Sequence, residues 1–231
     1  EFGISKKDEV HLIGVLRDTI YSDKILAVLR EYGSNAWDSH RQSGKPNMPF
    51  KVSLPTLSDP TLKIRDFGNS ISPDDIFAVY AQYGASTKRN SSDVVGVLGI
   101  GSKSGFSYSD SFSITTWYQE KRRIYVAVLD QTDRGVINLM YEEPCELAET
   151  GVEIQIAVRP PDIPEFITKA RRLYQHFYPR PEINVDLPAS PEGLTVLKNG
   201  ALGVGQSETG DNWVAVMGCI PYRINLDQLR G

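Results

Sequence analysis

Four stretches between residues 112 and 158 constrain the fold more than anything else in this chain. Residues 112–118, 123–129, 136–141 and 152–158 each read as a strand, and they follow one another through short turns. Strands in that order form a meander, so most of the sheet they build is antiparallel. Residues 50–54 and 61–65 add two more strands, punctuated by Pro55 and Pro60. Three helices accompany them. Residues 22–42 have apolar positions at helical spacing, with Ser22 as cap and Gly44 as stop. Ser72, Pro73, Asp74 and Asp75 start a second helix, which should run to about residue 83. Residues 164–177 form a third, with Phe166, Ile167, Ala170, Leu173 and Tyr174 on one side. Helices gathered on one face of a mixed, mostly antiparallel sheet make an α+β two-layer sandwich.

The polar, serine-rich run 84–93 has no periodicity and reads as a loop. After residue 182 the pattern changes to short strands at 194–197, 213–217 and 220–224. The expected organisation is therefore one domain over 1–182 and a strand-rich extension over 183–231.

Composition excludes some functions. The formal net charge is −4, so no global basic field supports direct nucleic-acid binding. No apolar run approaches the length of a membrane span. The start of the chain lacks the apolar stretch of a signal peptide, and Glu1 and Phe2 read as a cloning scar or as a strand entering from missing sequence. Cys145 and Cys219 have no metal-ligand spacing and suit a reducing cytoplasm. His11, His40 and His176 lie apart and read as surface or cap histidines, and Lys121, Arg122 and Arg123 as a solvated hairpin tip.

The chemistry concentrates in four fragments. On the first helix, Glu31, Asn35 and Asp38 fall within an arc of about 60° at roughly 100° per residue. Such a stripe is either a solvated face or a functional one. An Asn oxygen is a hard ligand suited to nucleotide-bound Mg²⁺, which takes only one or two protein groups. A Glu one turn earlier can hold a water for attack on a γ-phosphate.

Asp66 ends a strand and precedes Gly68. It is either a turn aspartate or an acceptor for the exocyclic amine of adenine, with Ile71 as an apolar floor for the ring. Gly96, Gly99 and Gly101, with Ile100 between and Ser102 and Lys103 following, can bring backbone N–H groups to phosphates. The loop is not a P-loop, because Ser102 stands where lysine should follow glycine, and the order of its glycines reverses the dinucleotide fingerprint. Thr150 and Gly151 lead into the strand 152–158.

Together these fragments resemble the GHKL ATPase superfamily of gyrase, the large heat-shock chaperone, histidine kinases and MutL. Its E-x-x-x-N, D-x-G-x-G, G-x-x-G-x-G and threonine motifs stand here in order. More closely, REYGSNAWDSH at 30–40, RDFG at 65–68, GIGSKSGFSY at 99–108, FSIT at 112–115 and TGVEI at 150–154 resemble the N-terminal part of phage rIIA proteins.

The resemblance implies ATP and Mg²⁺ as ligands, Glu31 as general base and Asn35 as metal ligand. It implies that Asp66 and Thr150 fix adenine, and that Gly96, Gly99 and Gly101 form a lid with the loop from residue 84. It makes Lys103 a phosphate partner, as in the related MORC proteins. It departs at Ser70, where the motif has glycine, and this implies a weaker hold on nucleotide. Glu31 sets the chain apart from the histidine-kinase branch, which lacks this base. Self-association or a following domain would complete the site, and a parent protein of this kind would sit at the inner membrane of a host cell. Two other readings stay open: a nucleotide-gated interaction module with negligible turnover, and a DNA-handling ATPase of the topoisomerase or repair type.

Overall fold

The structure, a computed structural model, describes residues 23–80, 101–131, 135–189, 195–197, 202–206, 213–217 and 219–224. Helix α1 (Lys24–Gln42) is capped by Asp23, whose carboxylate accepts the Leu26 amide at 2.9 Å. The cap is therefore Asp23 rather than Ser22. The helix stops at Gly44, which takes the left-handed conformation (φ 74°) that glycine adopts without strain. Ile25, Val28, Leu29, Tyr32 and Ala36 recur at helical spacing and are buried.

The main sheet contains β1 (Lys51–Ser53), β2 (Thr61–Arg65), β3 (Ser111–Tyr118), β4 (Lys121–Leu129), β5 (Gly135–Pro144), β6 (Gly151–Ala157) and β7 (Glu182–Ile183). Its order is β5-β4-β3-β6-β2-β1-β7. Every neighbouring pair is antiparallel except β1 with β7. Helix α2 (Pro73–Tyr80), the short α3 (Gly105–Tyr108) and α4 (Ile163–Tyr174) complete the helical layer. The fold is α+β, as expected from the meander.

Period two decides which side chains meet the helices. Leu62 and Ile64 on β2, Ile154 and Ile156 on β6, and Phe112 and Ile114 on β3 face inward and are buried. Lys63, Glu153, Gln155 and Ser113 occupy the opposite face. Helix α4 lies against α1, where the Tyr174 hydroxyl donates to the Leu29 carbonyl at 2.9 Å. A Cβ at Gly33 would stand 2.7 Å from the Tyr174 ring, so this crossing requires a glycine.

Three local expectations change. His40 is no surface histidine: it is 2% exposed, and both ring nitrogens are used. The basic run 121–123 is not a free hairpin tip. The tip is Gln119 and Glu120, both at positive φ, which suits a tight hairpin turn. Antiparallel register then sets Arg122 against Glu143 and Arg123 against Glu142 on β5, with ion pairs at 2.7 and 2.6 Å. The C-terminal part carries a strand the sequence pattern did not reveal, β9 (Leu202–Gln206), between β8 (Thr195–Leu197) and β10 (Trp213–Met217). With β11 (Ile220–Ile224) these form a separate four-stranded antiparallel sheet. Cys219 and Ile220, at its last turn, are buried in the same apolar cluster as the main core.

The expected division at residues 182 and 183 falls within β7. Just beyond it, Asn184 donates to the Leu54 carbonyl at 3.0 Å and accepts the Leu54 amide at 2.8 Å.

Candidate functional site

Helix α1 presents a row of residues one turn apart: Glu31, Asn35 and Ser39. The row runs from the glycine loop to the end of β2. At one end the Glu31 carboxylate abuts Gly101, where a Cβ would overlap Oε2. Oε1 is ion-paired with the Arg30 guanidinium at 3.0 Å. At the other end the Ser39 hydroxyl donates to Asp66 Oδ1 at 2.8 Å. Asn35 lies between them, half-buried. The sequence stripe had included Asp38 rather than Ser39. Asp38 is buried and close enough to the Cys219 thiol to act on its charge.

Asp66 is the electrostatic centre. It follows β2 and is 6% exposed. Oδ1 accepts from Ser39 and from the Gly68 amide at 2.9 Å, and Oδ2 accepts from the Val152 amide at 3.2 Å. Burial pushes its carboxyl above the ordinary aspartate range, against the opposing pull of the Gly68 and Ser39 bonds and of nearby Arg65 and His40. Gly68 passes so close to Ser39 that a Cβ would overlap its backbone and hydroxyl.

Arg65 approaches from the other face of the sheet. Its guanidinium donates to the carbonyls of Asp66 and, at 2.8 Å, of Thr150. It lies 3.5 Å from the centroid of the Trp117 ring and 4.7 Å from that of Phe67. Burial lowers its pKa, with Asp66 the first of the carboxylates that oppose this. The turn after Asp66 is held just as closely. His40 Nε2 accepts the Phe67 amide at 2.7 Å, and Nδ1 lies 2.7 Å from the Met48 carbonyl. That pairing fixes the tautomer with its proton on Nδ1.

Thr150 donates to the Phe67 carbonyl at 3.1 Å, with Lys45 Nζ 3.5 Å from its oxygen. Ser70 donates to the Trp117 carbonyl and accepts the Gly151 amide at 2.9 Å. The residue that departs from the family motif thus ties this turn to β3 and β6. Ile71 is half-buried and packs against the core.

The glycine loop enters the described residues at Gly101; Gly96, Gly99, Ile100 and residues 84–93 lie outside them. Tyr32, next to Glu31, secures the loop's end. Its hydroxyl donates to the Ser102 carbonyl at 3.0 Å and accepts the Gly105 amide at 3.0 Å. Ser102 donates to the Val79 carbonyl at 2.7 Å. Lys103 is 1% exposed, and its ammonium donates to the same carbonyl at 2.9 Å.

Among the described residues, Glu31, Asn35, Asp66, Gly68, Gly101 and Thr150 therefore come together along one side of α1 and the end of β2. Residues 24–152, more than half of the chain, match the family described as histidine kinase-, DNA gyrase B- and HSP90-like ATPase. The chain belongs to this ATPase family. No curated protein matches the chain. The family match spans α1, the Asp66 turn, the glycine loop and the start of β6, so ATP is the expected ligand of the site.

Sequence reasoning missed Ser39, His40, Arg65 and Tyr32 as parts of the site. Ser39 and His40 had a signal, because they close the string at 30–40 that carries the resemblance. Among the described residues no three of His, Cys, Asp and Glu gather as a metal cluster, so the metal assignment rests on the Asn35 amide. No helix among them is long and apolar enough to cross a membrane.

Proposed function

We propose that this chain binds Mg²⁺-ATP and hydrolyses it slowly, as the N-terminal ATPase domain of a phage rIIA-like protein. The observation that carries the adenine assignment is Asp66, a buried carboxylate at the end of a core strand. Its oxygens accept from Ser39, Gly68 and Val152, and an ionised carboxylate has further acceptor capacity. An adenine amine suits such a group, whereas the guanine carbonyl does not. Thr150 borders the same turn, and Ile71 offers an apolar surface to a ring.

The donor set fits a nucleotide-bound Mg²⁺: Asn35 would hold it, and the metal would supply charge neutralisation at the phosphates. Glu31, one turn away, is the general base that orients and deprotonates the attacking water. Gly101 and Ser102 bring backbone amides toward the phosphates. Lys103 is a phosphate partner if it leaves the Val79 carbonyl. The ion pair between Glu31 and Arg30 supports slow turnover, because it holds one oxygen of the base. The rIIA relationship rests on the strings at 30–40, 65–68, 99–108, 112–115 and 150–154. Residues from about 183 begin a following domain, and that domain or a second copy completes the site.

Phosphate release and binding of a non-hydrolysable analogue separate binding from chemistry. Glu31→Ala should keep the analogue and lose hydrolysis, whereas Asn35→Ala should weaken both. Hydrolysis by Glu31→Ala at the wild-type rate would remove Glu31 as the base. A nucleotide-gated interaction module would then be the better reading.

A further inference from the structure

The inward side chains of β2, β6 and β3 descend in rows. Ile64, Ile154 and Ile114 stand side by side in register, all buried. The next row is Asp66, Val152 and Thr116, on the same face by the period of two. Here the apolar core gives way to the site.

Val152 turns both main-chain polar groups toward Asp66. Its carbonyl accepts the Asp66 amide at 2.9 Å, and its amide donates to Asp66 Oδ2 at 3.2 Å. On its other side Val152 therefore meets Thr116 as a non-hydrogen-bonded pair, the arrangement in which opposed side chains come closest.

Thr116 is 1% exposed, and its Oγ1 has no hydrogen-bond partner among the described residues. Valine would fill the same space without leaving a hydroxyl unsatisfied, so the orphan group needs a reason. The Thr150 hydroxyl differs, because its proton already goes to the Phe67 carbonyl. Ser34 and Ser104 also carry unpartnered hydroxyls, but on α1 and just before α3 rather than on the strands of this row.

We propose that Thr116 is a nucleobase-contacting residue, whose hydroxyl bonds the adenine ring beside the amine taken by Asp66, directly or through one water. This rests on the nucleotide reading above. Asp66 can only accept, and a hydroxyl can donate. An acceptor next to a donor matches adenine, whose amine adjoins an unprotonated ring nitrogen. Guanine presents the reverse pattern, a carbonyl beside a ring N–H. Specificity would then come from two residues, one just past the end of β2 and one on β3, with Val152 of β6 between them.

The test is titration of Mg²⁺-ADP and Mg²⁺-GDP into wild type, Thr116→Val, Thr116→Ser and Thr116→Ala, with thermal unfolding of each. Thr116→Val should unfold at the same or a higher temperature yet bind ADP about tenfold more weakly, the loss expected for one hydrogen bond. Thr116→Ser should keep ADP affinity within about threefold, because the hydroxyl remains. GDP affinity should change little in any variant. If wild type binds ADP and both Thr116→Val and Thr116→Ala bind it equally well, the proposal is overturned and the nucleotide reading stands. If wild type binds no ADP, the nucleotide reading fails and takes this proposal with it.

Discussion

Oε2 of Glu31 lies so close to Gly101 that a methyl group on the glycine would overlap it. The first residue of the described glycine loop thus sets where the Glu31 carboxylate can stand. Gly101→Ala should push the Glu31 carboxylate aside, since the end of a side chain moves more easily than backbone. The expected outcome is a fall in ATP turnover of tenfold or more, about 1.4 kcal/mol in the barrier, with a smaller change in thermal stability. Phosphate-release rates beside melting curves check this; a large melting shift at unchanged turnover would contradict it.

Tyr32 carries the link between α1 and the loop through one oxygen. Tyr32→Phe removes the hydroxyl and strands the Ser102 carbonyl and the Gly105 amide. Leaving such groups buried without partners should cost about 2 kcal/mol of folding stability. Urea denaturation of the two proteins measures it, and a difference under about 0.5 kcal/mol would mean that water replaces the hydroxyl.

Gly151 has φ 99°, and a Cβ there would overlap the Asp66 carbonyl. Gly151→Ala therefore meets both backbone strain and a clash with main chain that cannot swing away. It should destabilise by about 3 kcal/mol or more and lower soluble yield. Circular dichroism melts comparing it with Gly44→Ala isolate the clash. Gly44 shares a positive φ, but a Cβ there would have nothing within 4 Å.

The buried carboxyl of Asp66 predicts a pH dependence with two opposite signs. Its pKa is raised by burial, so the folded state takes up its proton at a higher pH than the unfolded chain. The contribution of this one group to folding stability is full below its unfolded value and is lost as pH rises through its folded value. Adenine binding runs the other way, because protonation replaces an acceptor with a donor. ADP affinity should begin to fall on acidification above the ordinary aspartate range, and Asp66→Asn should lack that step. Calorimetric titrations across that window decide it; an affinity flat with pH in wild type would count against Asp66 as the amine acceptor.

How much was legible in the sequence depends on which force placed each residue. The meander was readable because four strand-like runs, 112–118, 123–129, 136–141 and 152–158, follow one another with polar segments between them. Strand β9 was not, because Gly203 and Gly205 erase the alternation that marks a strand. Glu31 and Asn35 were readable from helical spacing, but Ser39 was passed over for Asp38. Asp38 completes an arc of about 60° whereas Ser39 stands about 80° from Glu31, and only the position of the β2 end brings Ser39 into the row. His40 looked like a surface residue because its partners, Met48 and Phe67, are main-chain atoms brought near by the fold. Lys103 donates to the Val79 carbonyl, a contact its place in the sequence does not reveal because it is set by where α2 packs. Arg65 sits in a strand, where its residue type gives no hint of function, and register alone brings it against the Asp66 turn.

The most direct test of the whole account is a calorimetric titration of the wild-type chain with Mg²⁺-ADP and, separately, Mg²⁺-GDP, repeated on Asp66→Asn. One-to-one binding of ADP is predicted, at least tenfold tighter than GDP, with Asp66→Asn losing about 1–3 kcal/mol of ADP affinity. Equal affinities for the two nucleotides, or equal ADP affinity in wild type and Asp66→Asn, would contradict the adenine site built around Asp66.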